Sequence, residues 1–327
     1  MKTFITHLAL IGTLLGAAAP PVAAQSPPSG PVTVVVPYGP GGNADLAARA
    51  LGASLREQKD VAPIMVVNRA GANGVTGSVS VINAPRDGKT LLMARVGSQV
   101  VAPALDPSVP YTWDSLTPIG LLEVDPYVCL VARNSPYKSA QDLITAIRAQ
   151  PGKLSYSSSG TMDASVVFPT RMLLNAGLKA DAALMVPYKS AAEALTAVLG
   201  GQVDFTCNGL GPYMGTLTGG QSRGIVISTT KRMPQLPDVP TAEEIGMRNL
   251  EQISGWSALF GPPGMSKDTL DRWADLLTRV ARDPRWVEGV KARGAEPSVL
   301  GPEETRRFVE QQFQMYRSMR DLMKTGN

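Results

Sequence analysis

The sequence predicts an α/β fold with two domains, each a mostly parallel sheet flanked by helices. Short continuous apolar segments alternate with segments of helical periodicity along most of the 327-residue chain. This alternation is typical of parallel strands that are covered on both faces. A chain of this length is also large for one hydrophobic core and suits two.

The first part of the chain contains three predicted strands and two predicted helices. The strands are expected at residues 31–38, 63–69 and 90–96, and the helices at residues 42–58 and 73–84. Asn43 is the expected N-cap of the first helix, whose apolar residues share one face. Pro85 is expected to end the second helix, because proline cannot continue it.

The later part repeats this alternation. Strands are expected at residues 127–133, 154–158, 183–188, 203–207, 223–229 and 253–264, and helices at residues 139–152, 164–177, 190–201, 267–283 and 302–323. Ser139 and Ser266 are the expected N-caps of the helices that they precede. The chain is expected to end in two helices with no strand after them, packed back over one domain.

The domain boundaries are expected near residues 124 and 250. Residues 116–127 (LTPIGLLEVDPY) are expected to cross from one domain to the other. The first domain then comprises residues 25–124 and 251–327, and the second comprises residues 125–250.

The N-terminus predicts an exported protein. Lys2 is the only charge among the first 24 residues, an apolar stretch follows, and Val22-Ala23-Ala24 fits a signal-peptidase site. We expect residues 1–24 to be a signal peptide cleaved after Ala24. The alternative is an uncleaved anchor, for which the apolar stretch is short.

Composition excludes several function classes for the mature protein. Loss of Lys2 lowers the formal net charge from +4 to +3, and no Lys/Arg block indicates a nucleic-acid partner. The single histidine, His7, lies in the predicted signal peptide, so no imidazole remains for catalysis or for metal binding. Neither nucleotide-binding motif nor metal-ligand spacing is present, and we expect no cofactor and no metal.

Two cysteines, Cys129 and Cys207, lie in predicted strands. An exported protein with an even number of cysteines can join them in a disulfide. The alternative is two separate buried thiols, since cysteine also packs as a small apolar side chain.

The loop after the first strand is rich in glycine and precedes a helix. Its candidate binding residues are Tyr38, Gly39, Gly41, Gly42 and Asn43. Backbone N–H groups there can converge on an anion without obstruction by side chains. The alternative is an ordinary strand-to-helix turn. Asp45, in the first helical turn, is a further candidate, and we expect it to hold the loop.

Polar loops also follow other predicted strands. Their candidates are Asn73, Gly74, Arg95, Ser98, Gln99, Ser157, Ser159, Gly160, Thr161 and Tyr188. Hydroxyl, amide and backbone N–H groups suit a carboxylate or polar solute. Arg95 can pair bidentately with a carboxylate, or it can be a surface arginine. Because ligands bind at the carboxyl ends of strands in open α/β sheets, these loops predict a cleft between the domains.

One enzyme class remains open at this point. Serines 157–159 can act as nucleophiles only with a lysine base, since no histidine is available, and the candidate bases are Lys153 and Lys189. A periplasmic Ser-Lys hydrolase is therefore the alternative from another class.

Five segments carry a resemblance to a known family. They are VPYGPGGNADLAAR (36–49), VVNRAGANGVTGS (66–78), APRDGKTLLM (84–93), VPYKSAAEALTAVLGGQVDF (186–205) and LPDVPTAEEIGM (236–247). In this order they resemble the substrate-binding proteins of tripartite tricarboxylate transporters, the Bug receptors, over essentially the whole mature chain.

The resemblance implies a periplasmic-binding-protein fold whose two domains close by a hinge on a small carboxylate. The family's ligands are di- and tricarboxylates, aromatic acids and amino acids, delivered to membrane permease subunits by a receptor that we expect to be monomeric. Its first loop holds a ligand carboxylate through backbone groups and water, a role that carries over to Tyr38, Gly39, Gly41, Gly42 and Asn43. A ligand-sensing subunit for signalling is the alternative.

The chain departs from the family pattern at Met162-Asp163. Asp163 is an unusual neighbour for the second anionic group of a dicarboxylate. It indicates either a ligand with a cationic or donor group, or a cap for the helix that follows.

Overall fold

The structure is a computed structural model that describes residues 30–56, 58 and 61–320. The predicted signal peptide and the last residues of the predicted terminal helix lie outside the described residues. Within them the strands are β1 (Val32–Val36), β2 (Ile64–Asn68), β3 (Thr90–Arg95), β4 (Thr117–Ala132), β5 (Ser155–Ser158), β6 (Leu184–Pro187), β7 (Phe205–Gly209), β8 (Ser222–Ile227), β9 (Ser254–Gly261) and β10 (Glu296–Leu300).

The helices lie on the faces of these strands. They are α1 (Asn43–Arg56), α2 (Val75–Ile82), α3 (Ala102–Leu105), α4 (Ala140–Ala149), α5 (Ala164–Asn175), α6 (Ala191–Leu199), α7 (Met214–Thr218), α8 (Lys267–Val280), α9 (Pro284–Ala292) and α10 (Pro302–Ser318). The α/β fold class predicted from the alternating pattern is confirmed.

Strand β4 joins two halves of a curled sheet. The strand order is β2-β1-β3-β9-β4-β7-β5-β6, and β8 and β10 also pair with β4. Residues 117–126 of β4 pair with β9, whereas residues 127–132 pair with β7 and β8. The predicted crossing at residues 116–127 is thus the first part of a single 16-residue strand.

The sheet is mixed, which differs from the mostly parallel sheets expected. β1 is parallel to β2 and β3, and β5 is parallel to β6 and β7, as βαβ units require. β4 runs antiparallel to β7, β8, β9 and β10, and β9 runs antiparallel to β3. A continuous apolar segment predicts that a strand is buried, but it does not show whether the neighbouring strands run parallel or antiparallel to it.

Three local predictions are wrong. The C-terminal region is not helical throughout, because the edge strand β10 lies between α9 and α10; its sequence, EPSVL, is short and contains Pro297. Residues after β3 form a π-helical turn, Gly97–Val101, rather than a loop. Asn43 is the first residue of α1 rather than its cap. The caps predicted at Ser139 and Ser266 are confirmed.

The two cysteines form a disulfide between the neighbouring strands β4 and β7. Cys129 and Cys207 are register partners with Cα atoms 4.0 Å apart, and both are fully buried.

Since the bond closes a long loop of chain, we expect its reduction to lower the free energy of unfolding by about 2–4 kcal/mol. Urea unfolding with and without dithiothreitol measures this loss. The variant Cys129→Ala/Cys207→Ala should be insensitive to the reductant; equal midpoints for the wild-type protein in both conditions would contradict the prediction.

Candidate functional site

A small cavity lies between the two halves, at the carboxyl ends of the parallel strands. The first half contributes Tyr38, Gly42, Asn43, Ala44, Arg95 and Val96. The second contributes Tyr127, Ser159, Asp163, Ser190, Ala191 and Asn208. The cavity volume is about 20 Å³, which is room for about one water molecule.

The N-termini of two helices face one another across this cavity. α1 begins at Asn43 and α6 begins at Ala191. A Cβ atom on Gly42 would lie 3.6 Å from the Ser190 Cβ and 3.8 Å from the Ala191 backbone nitrogen. Helix N-termini carry partial positive charge and N–H groups without intrahelical partners. The two together suit an anionic group held between the halves.

Asp45 orders the glycine-rich loop. Its Oδ2 accepts hydrogen bonds from the Gly41 N–H (3.0 Å) and Arg49 Nε (2.9 Å), and its Oδ1 accepts one from Asn68 Nδ2 (3.0 Å). Burial raises the pKa of Asp45, but the hydrogen bonds from Arg49, the Gly41 N–H and Asn68 outweigh it and lower the pKa below its usual value. Asp45 does not line the cavity, and it holds the loop as the sequence indicated.

Backbone groups and Asn73 join the two halves at the mouth of the cleft. The Gly39 N–H donates to the Lys189 carbonyl at 3.0 Å. Asn73 Oδ1 accepts hydrogen bonds from the N–H groups of Thr161 (2.6 Å) and Met162 (3.2 Å). Loops that lie far apart in the sequence are therefore in direct contact, and the cleft is closed.

Two side chains extend these contacts inside the cleft. Asn43 Nδ2 donates to the Gly209 carbonyl at 3.4 Å, and the Tyr38 hydroxyl donates to Asp163 Oδ2 at 3.3 Å. Burial raises the pKa of Tyr38, and the neighbouring Asp163 carboxylate raises it further. Tyr38 is therefore a neutral hydrogen-bond donor in the closed cleft.

Arg95 lies at the base of the cavity in a buried ion-pair network, so the surface alternative is wrong. Its Nη1 is 2.6 Å from Asp125 Oδ1, its Nη2 is 3.1 Å from Asp125 Oδ2, and Nη1 also donates to Ser257 Oγ at 3.0 Å. Ser257 Oγ donates to Glu123 Oε1 at 3.2 Å, and Arg293 Nη2 donates to Glu123 Oε2 at 2.7 Å. The carboxylate that Arg95 binds bidentately is thus one of the protein's own.

The pKa values of this network reflect opposing effects. Burial acts to lower the pKa of Arg95, but the Asp125 charge and hydrogen bonds raise it above its usual value. Burial raises the pKa of Glu123, and the Arg293 charge opposes that rise. The network therefore fixes a charged arginine next to the point where β4 passes between the halves.

Asp163 caps α5 and also faces the cavity. It is 4% exposed. Its Oδ1 accepts hydrogen bonds from the Ser165 N–H (2.9 Å) and Ser159 Oγ (3.0 Å). A Cβ atom placed on Gly97 would overlap Asp163 Oδ2 and the Tyr38 hydroxyl. A glycine at position 97 is thus what lets this carboxylate reach across the cleft.

The other sequence candidates occupy two further places. Three of them are buried behind the cavity and donate hydrogen bonds to backbone carbonyls. Ser98 Oγ donates to the Arg95 carbonyl, Gln99 Nε2 to the Trp113 carbonyl, and Ser157 Oγ to the Ala194 carbonyl. A groove of about 490 Å³ outside the Asn73 contacts is lined by residues that include Asn73, Gly74, Gly160, Thr161 and Tyr188.

Sequence reasoning did not select Ser190, Asn208, Tyr127 or Gly97 as site residues. Ser190 and Asn208 each follow a predicted strand, which was the available signal. Gly97 directly follows the strand predicted at residues 90–96 and so carries the same signal. Tyr127 opens a predicted strand and carries none, because its place in the site depends on how the two halves meet.

Neither a metal site nor a membrane span is found in the part of the chain that the structure describes. No group of three or more His, Cys, Asp or Glu residues there is arranged to hold a metal ion. No helix there combines the length and apolarity that crossing a bilayer requires.

Two α/β halves that share one long strand and close on a small cavity are the architecture of two-domain periplasmic binding proteins. Comparison with solved structures agrees. The chain is similar to the periplasmic binding protein BugD, with 30% identity and a TM-score of 0.84 over 90% of this chain and 98% of that one. It is also similar to MatC from Rhodopseudomonas palustris, solved with bound malate, with 26% identity and a TM-score of 0.82 over 89% and 99% of the two chains.

Sequence comparison identifies the family. Residues 47–324 match the tripartite tricarboxylate transporter family receptor, and the chain belongs to this family. A relative from Pseudomonas sp., the UPF0065 protein in the tcbD-tcbE intergenic region, is 32% identical over 281 residues, which cover 84% of this chain and 82% of that one. The resemblance drawn from the five sequence segments is confirmed.

Proposed function

We propose that this protein is an exported periplasmic receptor that binds a small carboxylate between its two halves and delivers it to the permease subunits of a tripartite transporter. The observation that carries the proposal is the pair of helix N-termini, α1 and α6, facing one cavity from opposite halves. An anion placed there interacts with both halves at once and so favours the closed arrangement. Family membership supports the transport role.

The recognition chemistry uses backbone donors. Gly42 and Asn43 line the cavity at the start of α1, and Ala191 lines it at the start of α6. Gly41 has φ +76°, a left-handed conformation that glycine adopts without strain. The loop therefore turns sharply at Gly41. The Gly39 and Gly41 N–H groups are held by Lys189 and Asp45, which leaves Gly42 and Asn43 as the residues that present backbone N–H groups to the cavity.

Binding requires the cleft to widen. The present cavity has room for about one water molecule, so the contacts of Asn73 with Thr161 and Met162 have to separate for a ligand to enter. We infer that the halves are two domains, residues 25–124 with 251–327 and residues 125–250, hinged where β4 and the segment before β9 pass between them.

The geometry does not favour the hydrolase alternative. Ser157 and Ser158 donate their hydroxyl hydrogens to backbone carbonyls, and Ser159 donates to Asp163. Lys153 and Lys189, the candidate bases, are both exposed. No serine of this group has a lysine as its hydrogen-bond partner in the described residues.

A thermal-shift screen of the mature protein tests the proposal. The panel holds aliphatic and aromatic mono-, di- and tricarboxylates and amino acids, with neutral sugars as controls. A carboxylate at 100 times its Kd should stabilise the folded state by about 2.7 kcal/mol and raise the Tm, because it binds only that state. The proposal would be contradicted if only the sugars raised the Tm, or if none of the carboxylates in the panel raised it.

A further inference from the structure

The charged groups at the cavity do not balance. Arg95 and Asp125 pair bidentately, with oxygen–nitrogen distances of 2.6 and 3.1 Å, so their charges offset each other. Asp163 also lines the cavity. Within the described residues no Lys or Arg nitrogen forms an ion pair with it. Arg95, Asp125 and Asp163 together therefore leave one negative charge at the cavity.

The Asp163 carboxylate retains acceptor capacity towards the cavity. Its Oδ1 is occupied by the Ser165 N–H and Ser159 Oγ, whereas the one donor to Oδ2 among the described residues is the Tyr38 hydroxyl, at 3.3 Å. An ionised carboxylate oxygen accepts about two hydrogen bonds. Oδ2 thus has room for one more donor, and the cavity is the side from which that donor can come.

The neighbouring tyrosines respond to this charge. Burial raises the pKa of Tyr38 and of Tyr127, and for both residues the Asp163 carboxylate is the next contribution in the same direction. Burial also raises the pKa of Tyr316, and Asp163 adds to that rise. The two tyrosines that lie beside Asp163 at the cavity, Tyr38 and Tyr127, therefore stay neutral.

Capping alone does not explain an aspartate at this position. The Oδ1 contact with the Ser165 N–H caps α5, but asparagine caps a helix about as well as aspartate does. A buried, unpaired carboxylate is costly unless a positive group joins it. The position across the cleft from the N-terminus of α1 is where a ligand's second functional group would lie.

We propose that Asp163 forms an ammonium subsite, so that the ligand is a small aminocarboxylate whose carboxylate lies at the N-termini of α1 and α6. This inference rests on the proposed function of the same cavity and names its ligand class. A protonated amine donates to Asp163 Oδ2 and restores neutrality in the cavity. A second carboxylate at the same place would set two negative charges side by side in a buried site, which is unfavourable.

Matched ligand pairs test the inference by isothermal titration calorimetry. Succinate and 4-aminobutyrate share a four-carbon chain, glutarate and 5-aminovalerate share a five-carbon chain, and L-aspartate and L-glutamate add an ammonium group to the two dicarboxylates. We expect at least one ammonium-bearing compound to bind at least about tenfold more tightly than its matched dicarboxylate. The substitution Asp163→Asn, which keeps the cap, should remove that preference or reverse it.

Asp283→Asn is the matched control. Asp283 also caps a helix, through the Arg285 N–H (3.0 Å), and also accepts a serine hydroxyl, Ser54 Oγ (2.7 Å). Ser54 lies 11 residues beyond Asn43 in α1, or about 16 Å along the helix. This variant removes the same charge away from the cavity, and the wild-type preference should persist in it.

Three results would overturn the inference. The first is that the dicarboxylates bind the wild-type protein as tightly as their ammonium-bearing partners. This result would overturn the ammonium subsite but not the proposal that the protein is a carboxylate receptor. An ammonium preference that Asp163→Asn leaves unchanged would place the subsite elsewhere. Absence of binding by every carboxylate, in these pairs and in the thermal-shift panel, would overturn the proposed function together with the inference.

Discussion

Replacing Asp125 with alanine is expected to lower the free energy of unfolding by about 3–5 kcal/mol, because it leaves the Arg95 charge buried without a partner. Arg95 is 5% exposed and Asp125 is 1% exposed, so bulk solvent screens the unpaired charge only weakly. Ser257 Oγ, at 3.0 Å from Nη1, is the one other side chain that accepts a hydrogen bond from this guanidinium in the described residues. Urea unfolding of the disulfide-intact variant measures the loss.

Two further variants test whether the loss comes from the unpaired buried charge of Arg95. Asp271→Ala breaks the ion pair of Asp271 with Lys267, whose side chains are 60% and 84% exposed, and should leave stability almost unchanged. The double substitution Arg95→Met/Asp125→Leu removes both buried charges and should recover most of the loss. If Asp125→Ala is as mild as Asp271→Ala, the buried-charge account of this network is wrong.

Gly97→Ala is expected to weaken binding of the best carboxylate by about 5- to 150-fold while leaving the fold intact. The added Cβ would overlap Asp163 Oδ2 and the Tyr38 hydroxyl when the cleft is closed. Overpacking of this kind costs about 1–3 kcal/mol, which corresponds to that range of affinity. Because Asp163 belongs to the opposite half, opening of the cleft relieves its overlap with the new Cβ. Tyr38 belongs to the same half as Gly97, but its hydroxyl loses its Asp163 partner on opening and is free to turn aside, so the closed state bears most of the cost.

Titration calorimetry and small-angle scattering together check this prediction. The variant should show lower affinity and a larger radius of gyration with ligand present, since closure is impeded. Gly215→Ala in α7 is the control, because a Cβ there meets no atom within 4 Å. Unchanged affinity in Gly97→Ala would mean that Asp163 and Tyr38 move aside at little cost, and that the ligand-bound cleft does not use their present positions.

The parts of the cavity lining that sequence reasoning selected, such as Gly42 and Asn43, belong to local patterns. The loop at residues 38–43 lies between a strand and a helix whose periodicities are both evident, so its place at the edge of the sheet follows directly. The capping role of Asp163 was one of two alternatives, because an aspartate precedes an apolar helical segment, and the structure confirms the cap. For Asp45 a loop-holding role was expected from its place in the first helical turn, four residues before Arg49. Its hydrogen bonds from the Gly41 N–H and Arg49 Nε are local contacts of this kind.

The features that sequence reasoning missed depend on residues far apart in the chain. Arg95 pairs with Asp125 across 30 residues, and Tyr38 reaches Asp163 across 125. The importance of Gly97 arises only because those two side chains pack against it. Strand β10 escaped prediction because its pairing with β4, rather than its own composition, makes it a strand.

The sequence by itself determined the alternation of strands and helices, the glycine-rich loop before α1, the lack of histidine beyond His7 and the family resemblance. Each is expressed by residues within a few positions of one another or by composition alone. The tertiary structure decided the mixed sheet, the passage of β4 through both halves, the Cys129–Cys207 bond and the pairing of Arg95 with the protein's own Asp125. These follow from long-range contacts, whose partners are selected by packing and by the need to pair buried charges, and no local pattern specifies them.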